Sequence, residues 1–434
     1  MNKKQSLLET SIEIPEDFDL SDEFERACNL IERTNSNLFI TGNAGTGKST
    51  LLQYFKSKTD KNVVVLAPTG VAAIKARGQT IHSFFGFPPR LVRKENIRRI
   101  RKSELVRKLD TLIIDEASMV RADLLDGIDY SLRKNRNLNI PFGGVQIVLF
   151  GDLFQLAPVV NSETREIMGE LYESPYFFSA KVLDEVKFEH IELTKIYRQH
   201  QAEFINLLNK VRVKRVNSID LKLLNSRVDS DISHDDSGVI TLTATNRQAD
   251  RINNHCLDRI TAKEYYYDAT VRGKFNADKN IYPGDVTLKL KKGAQVMMIK
   301  NDANKRWVNG TLTHIVALNK DFIKVNIGGN VYEVPRETWE KIEYVYNPVE
   351  DKIEENVIGG FEQYPIRLAW AVTIHKSQGQ NFDKVIIDLG DGAFSHGQAY
   401  VALSRCTSFE GITLKQPVYH RDIIFDPRVY EFME

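Results

Sequence analysis

The nine residues GNAGTGKST, at positions 42–50, follow directly on an apolar run at 37–41. Glycines at 42, 45 and 47 free the backbone to curl and aim several N–H groups at one phosphate, an arrangement that needs a strand before it and a helix behind it. The pattern G-x-x-x-x-G-K-[ST] is complete in Gly42, Gly47, Lys48 and Ser49, with Asn43, Ala44, Gly45, Thr46 and Thr50 filling the same loop. In such a loop the lysine reaches the β- and γ-phosphates and the serine hydroxyl ligates Mg²⁺. A plain glycine-rich turn would call for neither the lysine nor the apolar Leu51-Leu52 beyond it. ATP and Mg²⁺ are therefore the expected cofactors, on an α/β fold.

Apolar runs at 38–41, 63–67, 111–114 and 146–150 show no polar alternation, as expected of strands covered on both faces in a parallel sheet. They alternate with helical or turn-rich stretches, which predicts a first α/β lobe over 1–185. A second series at 190–193, 239–243, 367–371, 384–389 and 400–403 predicts a second lobe over 186–273 and 361–434. Between them, at 274–360, closely spaced β-like segments such as FIKVNIGGN carry Gly and Asn turns, the texture of a small inserted all-β module. An elaborated sheet edge would share that texture.

A formal net charge of +1 over 434 residues means that any nucleic-acid surface has to be local. Cys28, Cys256 and Cys406 lie far apart and form no C-x-x-C pair, which argues against zinc or disulfide frameworks and for a reducing compartment. No apolar run nears the roughly 18 residues of a membrane span, and the polar start Met-Asn-Lys-Lys-Gln is unlike a signal peptide. A cytoplasmic protein of prokaryotic type, with no membrane partner, is expected.

Asp115 and Glu116 close the run at 111–114. A buried strand ending in two acids suits a metal-and-water site: Asp115 would hold Mg²⁺ and Glu116 would polarise the attacking water. The bland reading, acids favouring a helix start, explains only their position. Gln155 in GDLFQLAP stands where a side chain could sense a γ-phosphate. Arg198 in LTKIYRQ and Arg405 in VALSRC each lie beside a run of the second series, from which a forked guanidinium could reach a transferring phosphoryl. Either arginine alone would more often be a surface ion-pair partner. Thr373, His375 and Ser377 in AVTIHKSQGQ, with Gly379 allowing close approach, can donate to phosphate oxygens. Thr69, Gly70, Thr80, His82 and Phe84 lie just past earlier runs and suit a nucleic-acid backbone or a stacked base. Phe84, Phe85 and Phe87 could equally be core.

In order, GNAGTGKST, APTGVAA, GQTIHSFFGF, IIDEAS, GDLFQLAP, LTKIYRQ, AVTIHKSQGQ and YVALSRC resemble the motor motifs of superfamily 1 helicases. The stretch SMVRADLLDGIDYSLR at 118–133 is similar to the signature helix of the petite-integration-frequency (PIF-type) family of 5′→3′ DNA helicases. The resemblance covers nearly the whole chain. It implies two RecA-like parallel-sheet lobes with ATP and Mg²⁺ at their seam, and an inserted SH3-like β-barrel. It also implies ATP-driven 5′→3′ movement on single-stranded DNA. Lys48, Ser49, Asp115, Glu116, Gln155, Arg198, Gly379 and Arg405 would serve the nucleotide. Pro68, Thr69, Gly70, Thr80, His82, Phe84, Thr243, Asn246, Thr373, His375, Lys376 and Ser377 would face single-stranded DNA. Duplex forks are a further implied partner, G-quadruplex DNA and RNA–DNA hybrids are candidate substrates, and a monomer is the expected free form. Two positions depart from the family pattern. Phe24 stands where an adenine-reading glutamine is usual, and VNGTLTHIV lacks the arginine and second glycine common after Asn-Gly.

Between Arg90 and Lys108 nine Lys or Arg face Glu95 and Glu104, a local net of +7 (9 − 2). This segment, within 86–110, is the expected wedge at a fork; an amphipathic helix with a solvated basic face would carry the same charges. Other functions share the motor: a RecD-like or RNA-directed superfamily 1 helicase, or an ATP-gated single-stranded-DNA clamp or remodeller that opens no duplex.

Overall fold

The computed structural model describes residues 21–433 apart from 44, 89, 101–102, 161, 196–200, 233–237 and 278–281. Ala44 and Arg198 of the expected nucleotide site lie outside the described residues. Strands β1 (Asn37–Gly42), β2 (Val63–Ala67), β3 (Gln79–Thr80), β4 (Thr111–Ile114), β5 (Gln146–Phe150) and β6 (Phe188–Leu193) form one parallel sheet in the order β3-β2-β4-β5-β1-β6. Every residue of β4 and β5 is buried, which is why both read as unbroken apolar runs. Alternate side chains serve opposite faces. Leu38, Ile40, Ile113 and Val148 pack with Leu51, Leu52 and Phe55 of the helix Lys48–Lys58. Phe39, Leu112, Ile114 and Leu149 pack with Leu125, Ile128 and Leu132 of the helix Ala122–Arg136.

The run at 190–193, which opens the second series in chain order, belongs instead to β6, paired in parallel with β1 from Asn37↔Phe188 to Gly42↔Leu193. Its alternation of buried Ile191 and Leu193 with exposed His190 and Glu192 is that of a sheet edge. A strand's place in the chain does not say which sheet it joins.

After β7 (Ile240–Thr243) the chain enters an antiparallel region: β8 (Glu264–Asp268), β9 (Thr270–Gly273), β10 (Thr287–Lys291), β11 (Gln295–Met298), β12 (Leu312–Leu318), β13 (Ile323–Ile327), β14 (Asn330–Val334), β15 (Glu337–Asn347), β16 (Lys352–Gln363) and β17 (Ile366–Leu368). One sheet runs β14-β13-β12-β11-β17, a second β15-β16-β9, and β8 pairs with β10. Gly328 and Gly329, at φ +58 and +84, form the tight turn that joins β13 to β14. The chain then returns to β7 with β18 (Ala371–Thr373), β19 (Val385–Asp388) and β20 (Ile412–Leu414), a parallel sheet ordered β18-β7-β19-β20.

Two runs of the second series differ from expectation. The run at 367–371 is split, its start ending β17 in the antiparallel region and its last residue opening β18. The run at 400–403 is not a strand but the last two-thirds of the helix Gln398–Leu403. All six residues of that helix are buried, so no polar face betrays its period.

The long hairpin β15–β16 leans on the first lobe. β3 spans only two residues and leaves the Val65 N–H uncovered; the Tyr344 hydroxyl accepts from it at 3.2 Å. Asn62 Oδ1 accepts from Ile353 N (2.9 Å), and Lys108 meets Asp351 at 2.7 Å.

Candidate functional site

The phosphate loop leaves the carboxyl end of β1 and ends in the first turn of the helix Lys48–Lys58, where Ser49 and Thr50 lie. A Cβ on Gly42 would stand 2.5 Å from the Leu193 carbonyl, so β6 itself requires glycine there. Gly45 and Gly47 both have φ +88, a region other residues avoid. Lys48 Nζ folds over the loop and donates to the carbonyls of Gly42 (2.6 Å) and Asn43 (3.0 Å), while Thr46 Oγ1 donates to Asn43 O at 3.0 Å. Phe24 is buried and packs edge-on against Tyr54 at 5.5 Å, so at the position where the resemblance implies an adenine-reading glutamine this chain has a core side chain.

Asp115 and Glu116 follow β4, which is separated from β1 by β5 alone. The Asp115 side chain accepts from Glu116 N at 3.0 Å. Burial, reinforced by the Glu116 charge, pushes the Asp115 carboxyl up to about 6, against the pull of Lys75 and Lys48. A buried acid held against its own charge is one that a cation would relieve, so Asp115 fits the Mg²⁺ role. Among the described residues no three His, Cys, Asp or Glu form a cage. A metal here would complete its shell with the Ser49 hydroxyl, water and substrate phosphates, the usual manner for Mg²⁺. Glu116 has φ +52 and ψ +46, a strained conformation for a non-glycine that persists only where the surroundings hold it.

The second lobe supplies part of that hold. Gln378, in the turn after β18, donates through Nε2 to Glu116 Oε2 (3.2 Å) and to Gln155 Oε1 (3.2 Å). Gln155 donates in turn to Asp152 Oδ2 at 3.1 Å. Burial would raise the Asp152 carboxyl, but Arg212 and then Lys48 outweigh it and hold it below its ordinary range. Arg212, from the helix Ala202–Arg212, pairs with Asp152 at 3.2 Å and lies over the Phe154 ring at 3.9 Å. Gly379, at φ +78, has Lys75 Nζ where a Cβ would be. Arg405 is 1% exposed and bonds three acceptors of its own lobe: Nε donates to Val401 O (3.0 Å), Nη1 to Gln380 O (3.4 Å) and Nη2 to Ser404 Oγ (2.9 Å). Gln378, Lys75 and Arg212 were not singled out in the sequence. Gln378 lies inside AVTIHKSQGQ, and the glycine after it was its one local signal.

A second bridge crosses the seam at His396. Its Nδ1 accepts from Asp426 N (2.9 Å), so the proton is on Nε2, which donates to Leu153 O (2.8 Å). Burial holds the imidazole below its ordinary value, more than Asp426 and Asp152 raise it. The unfolded chain therefore takes up the proton first. Stability is full above about pH 6.5 and is lost as pH falls through that value towards the lower folded one. Thermal midpoints measured at about pH 7.5 and about pH 5.5 should separate less in His396→Gln, whose neutral amide can keep both bonds, than in the wild type.

The residues expected at DNA gather at carboxyl ends of strands in both lobes. Thr69 and Thr80 cap the helices Gly70–Lys75 and Ile81–Phe85, and Pro68 and Gly70 flank the first cap. His82 and Phe84 lie on the second helix, Phe84 half-buried against Phe85 at 4.9 Å. Phe85 and Phe87 are core. Thr243 and Thr373 end β7 and β18 in register. Asn246 opens the helix Asn246–Arg259. Lys376 is exposed, His375 half-buried, and Ser377 buried with its hydroxyl on Ile374 O at 2.9 Å.

Two family models match the chain: PIF1-like helicase over residues 19–222, and DNA helicase Pif1, 2B domain, over residues 280–318. The ATP-dependent DNA helicase Pif1 of Bdellovibrio bacteriovorus is 33% identical over 430 residues, covering 96% of this chain and 92% of that protein. Vertebrate and Emericella nidulans relatives named ATP-dependent DNA helicase PIF1 are longer, and this chain spans 60–64% of their length. Unliganded Pif1 from Bacteroides sp superposes with a TM-score of 0.88 at 41% identity, covering 96% of this chain and 97% of that one. Pif1 helicase from Bacteroides in complex with ADP-AlF3 and ssDNA gives 0.69 at 41% identity, with coverage of 96% and 97%. Bacteroides sp Pif1 in complex with ADP-AlF4 also gives 0.88, so among these Bacteroides structures the lower score goes with bound ssDNA, not with bound nucleotide.

Proposed function

The chain belongs to the PIF1-like helicase family, and on that premise we infer that it is an ATP-dependent DNA helicase that moves 5′→3′ along single-stranded DNA and parts the duplex ahead of it. The observation that carries the reading is the Gln378–Glu116 contact: the turn of the second lobe that follows Thr373 and holds His375 and Ser377 rests on Glu116 of the first.

Under this reading the lobes span 1–185 and 186–273 with 361–434, although β6 pairs with the first sheet and β8, β9 and β17 pair with strands of the antiparallel insert. The antiparallel insert at 274–360 is read as the SH3-like barrel, a reading supported by the 2B-domain match. The loop 42–50 with Lys48 holds the phosphates, Ser49 and Asp115 hold Mg²⁺, and Glu116 receives the proton of the attacking water. Arg198 and Arg405 stabilise the charge that develops on the phosphoryl, and Gln155 responds to its loss. When the γ-phosphate leaves, the arginines lose their anchor and the lobes part, which is the differential contact that motion requires. Pro68, Thr69, Gly70, Thr80, His82 and Phe84 on one lobe, and Thr243, Asn246, Thr373, His375, Lys376 and Ser377 on the other, grip the strand in alternation. The free protein is a monomer, acting beside the nucleoid of a prokaryotic-type cytoplasm on single strands and forks, with G-quadruplexes as further substrates. Bacterial relatives support that setting.

The deciding experiment uses partial duplexes with one single-stranded tail. Unwinding of the 5′-tailed substrate but not the 3′-tailed one is expected; the reverse polarity, or ATP turnover without strand separation on either, refutes the reading and favours a clamp. An RNA duplex run alongside distinguishes an RNA-directed enzyme.

The segment 86–110 is the proposed wedge. Leu91, Val92, Ile97, Leu105 and Val106 anchor it in the first core, leaving Arg90, Arg93, Lys94, Arg98, Arg99 and Arg107 exposed. Reversing Arg93, Lys94, Arg98 and Arg99 to glutamate should flatten the salt dependence of fork binding by about 3–4 in log–log slope, at about 0.9 per lost phosphate contact, and slow unwinding. An unchanged slope would show the basic face to be merely solvated.

A further inference from the structure

We propose that Gln378 is a positioning residue for ATP hydrolysis: through it, the turn that holds DNA orients the catalytic base. The proposal rests on the helicase reading above and supplies the side chain that joins its two sites.

One carboxamide nitrogen carries two hydrogens, and here it has two acceptors, Glu116 Oε2 and Gln155 Oε1, each at 3.2 Å. Fixing one carboxylate oxygen leaves the other free to take a proton from water. The donor is neutral, so it orients Glu116 without the charge that a lysine would bring to quench its basicity. From Gln155 the bonds continue to Asp152 (3.1 Å) and back into the second lobe at Arg212 (3.2 Å). The chain Glu116–Gln378–Gln155–Asp152–Arg212 therefore joins the two lobes at both ends of the Gln155–Asp152 pair.

The backbone behind Gln378 is stiff. Ser377 N donates to Thr373 O (3.0 Å), Gln378 N to His375 O (3.3 Å) and Ser377 Oγ to Ile374 O (2.9 Å). Thr373, His375 and Ser377 are the side chains assigned to DNA, so a shift of this turn when a strand binds is passed directly to the carboxamide. On its other side Gly379 makes room for Lys75 Nζ from the first lobe, so the turn is seated from both sides. The contact is already made in an arrangement that matches the ssDNA-bound structures less well, so strand binding acts by changing a hold on Glu116 that exists beforehand, and turnover changes with it.

The test uses the full chain with Gln378→Ala and the isosteric Gln378→Glu, which removes the donor and faces Glu116 with a like charge. Turnover in the presence of a single-stranded oligonucleotide should fall about 10- to 100-fold, the cost of a misplacement near 1 Å. KM for ATP, ADP affinity and oligonucleotide affinity should stay within about two-fold, while affinity for ADP–aluminium fluoride falls in step with turnover. Gln155→Ala combined with Gln378→Ala should cost less than the sum of the two, since both cut the same chain. Turnover within two-fold of wild type in both variants overturns the proposal, as does parallel loss of ADP and oligonucleotide binding, which marks a purely structural role. If the unmodified protein is not stimulated by the oligonucleotide at all, the motor reading itself fails and this coupling with it.

Discussion

Glu116→Gln is expected to lower DNA-stimulated ATP turnover by about 10²- to 10⁴-fold while the protein still binds ATP and single-stranded DNA. The substitution keeps the shape of the side chain and an oxygen for the Gln378 donor at 3.2 Å, so the local hydrogen bonding survives. What it removes is the negative charge that, under the proposed function, accepts a proton from water. The strained backbone at φ +52 is unaltered, because glutamine tolerates that conformation no worse than glutamate does. Relief of like charge should also draw the Asp115 carboxyl back from about 6, because the Glu116 charge is part of what raises it. Steady-state turnover measured beside equilibrium binding of a fluorescent ATP analogue separates the two effects. A loss of less than about five-fold in turnover would mean that another group takes the proton.

Arg405→Lys should cost about 10³-fold or more in the same turnover, the range found when a transition-state arginine is removed, with oligonucleotide affinity retained. Lysine keeps the charge and loses the fork. In the arrangement described here the fork is spread over Val401 O, Gln380 O and Ser404 Oγ, within its own lobe. The same bonds give the substitution a second consequence. A buried acceptor left without a donor costs about 1–3 kcal/mol, so thermal unfolding should show a modest loss besides the kinetic one. Turnover near wild type, in a variant whose melting has shifted, would leave Arg405 a structural residue and exclude it from hydrolysis.

Much of the site was legible because its signals are local. The loop at 42–50 is a backbone device, and residues within a few positions of one another determine whether glycine torsions and a helix start can follow a strand. The acids after β4 were legible for a similar reason, since a fully buried strand announces its own end. The burial of Phe85 and Phe87 against the half-exposure of Phe84 could not be read in the same way, because three aromatics in four positions fit a core or a stacking surface equally. Phe24 was visible as a departure, but only its packing on Tyr54 shows that the position was absorbed into the core rather than given another ligand. The helix Gln398–Leu403 was misread as a strand because burial on every side erases the distinction between the two periods.

By itself, then, the sequence determined the α/β class, the phosphate loop, the paired acids and the order of motifs that marks the family, since each depends on side chains and torsions close together in the chain. Only the tertiary structure decided that β6 closes the first sheet beside β1, that the β15–β16 hairpin lies on the first lobe, that Arg405 bonds the Val401 and Gln380 carbonyls, and that Gln378 reaches Glu116 and Gln155. The last of these spans 262 and 223 residues of chain. Bonds of that kind exist because two sheets meet at one seam, and the free energy of that meeting comes from surfaces that no short stretch of residues contains.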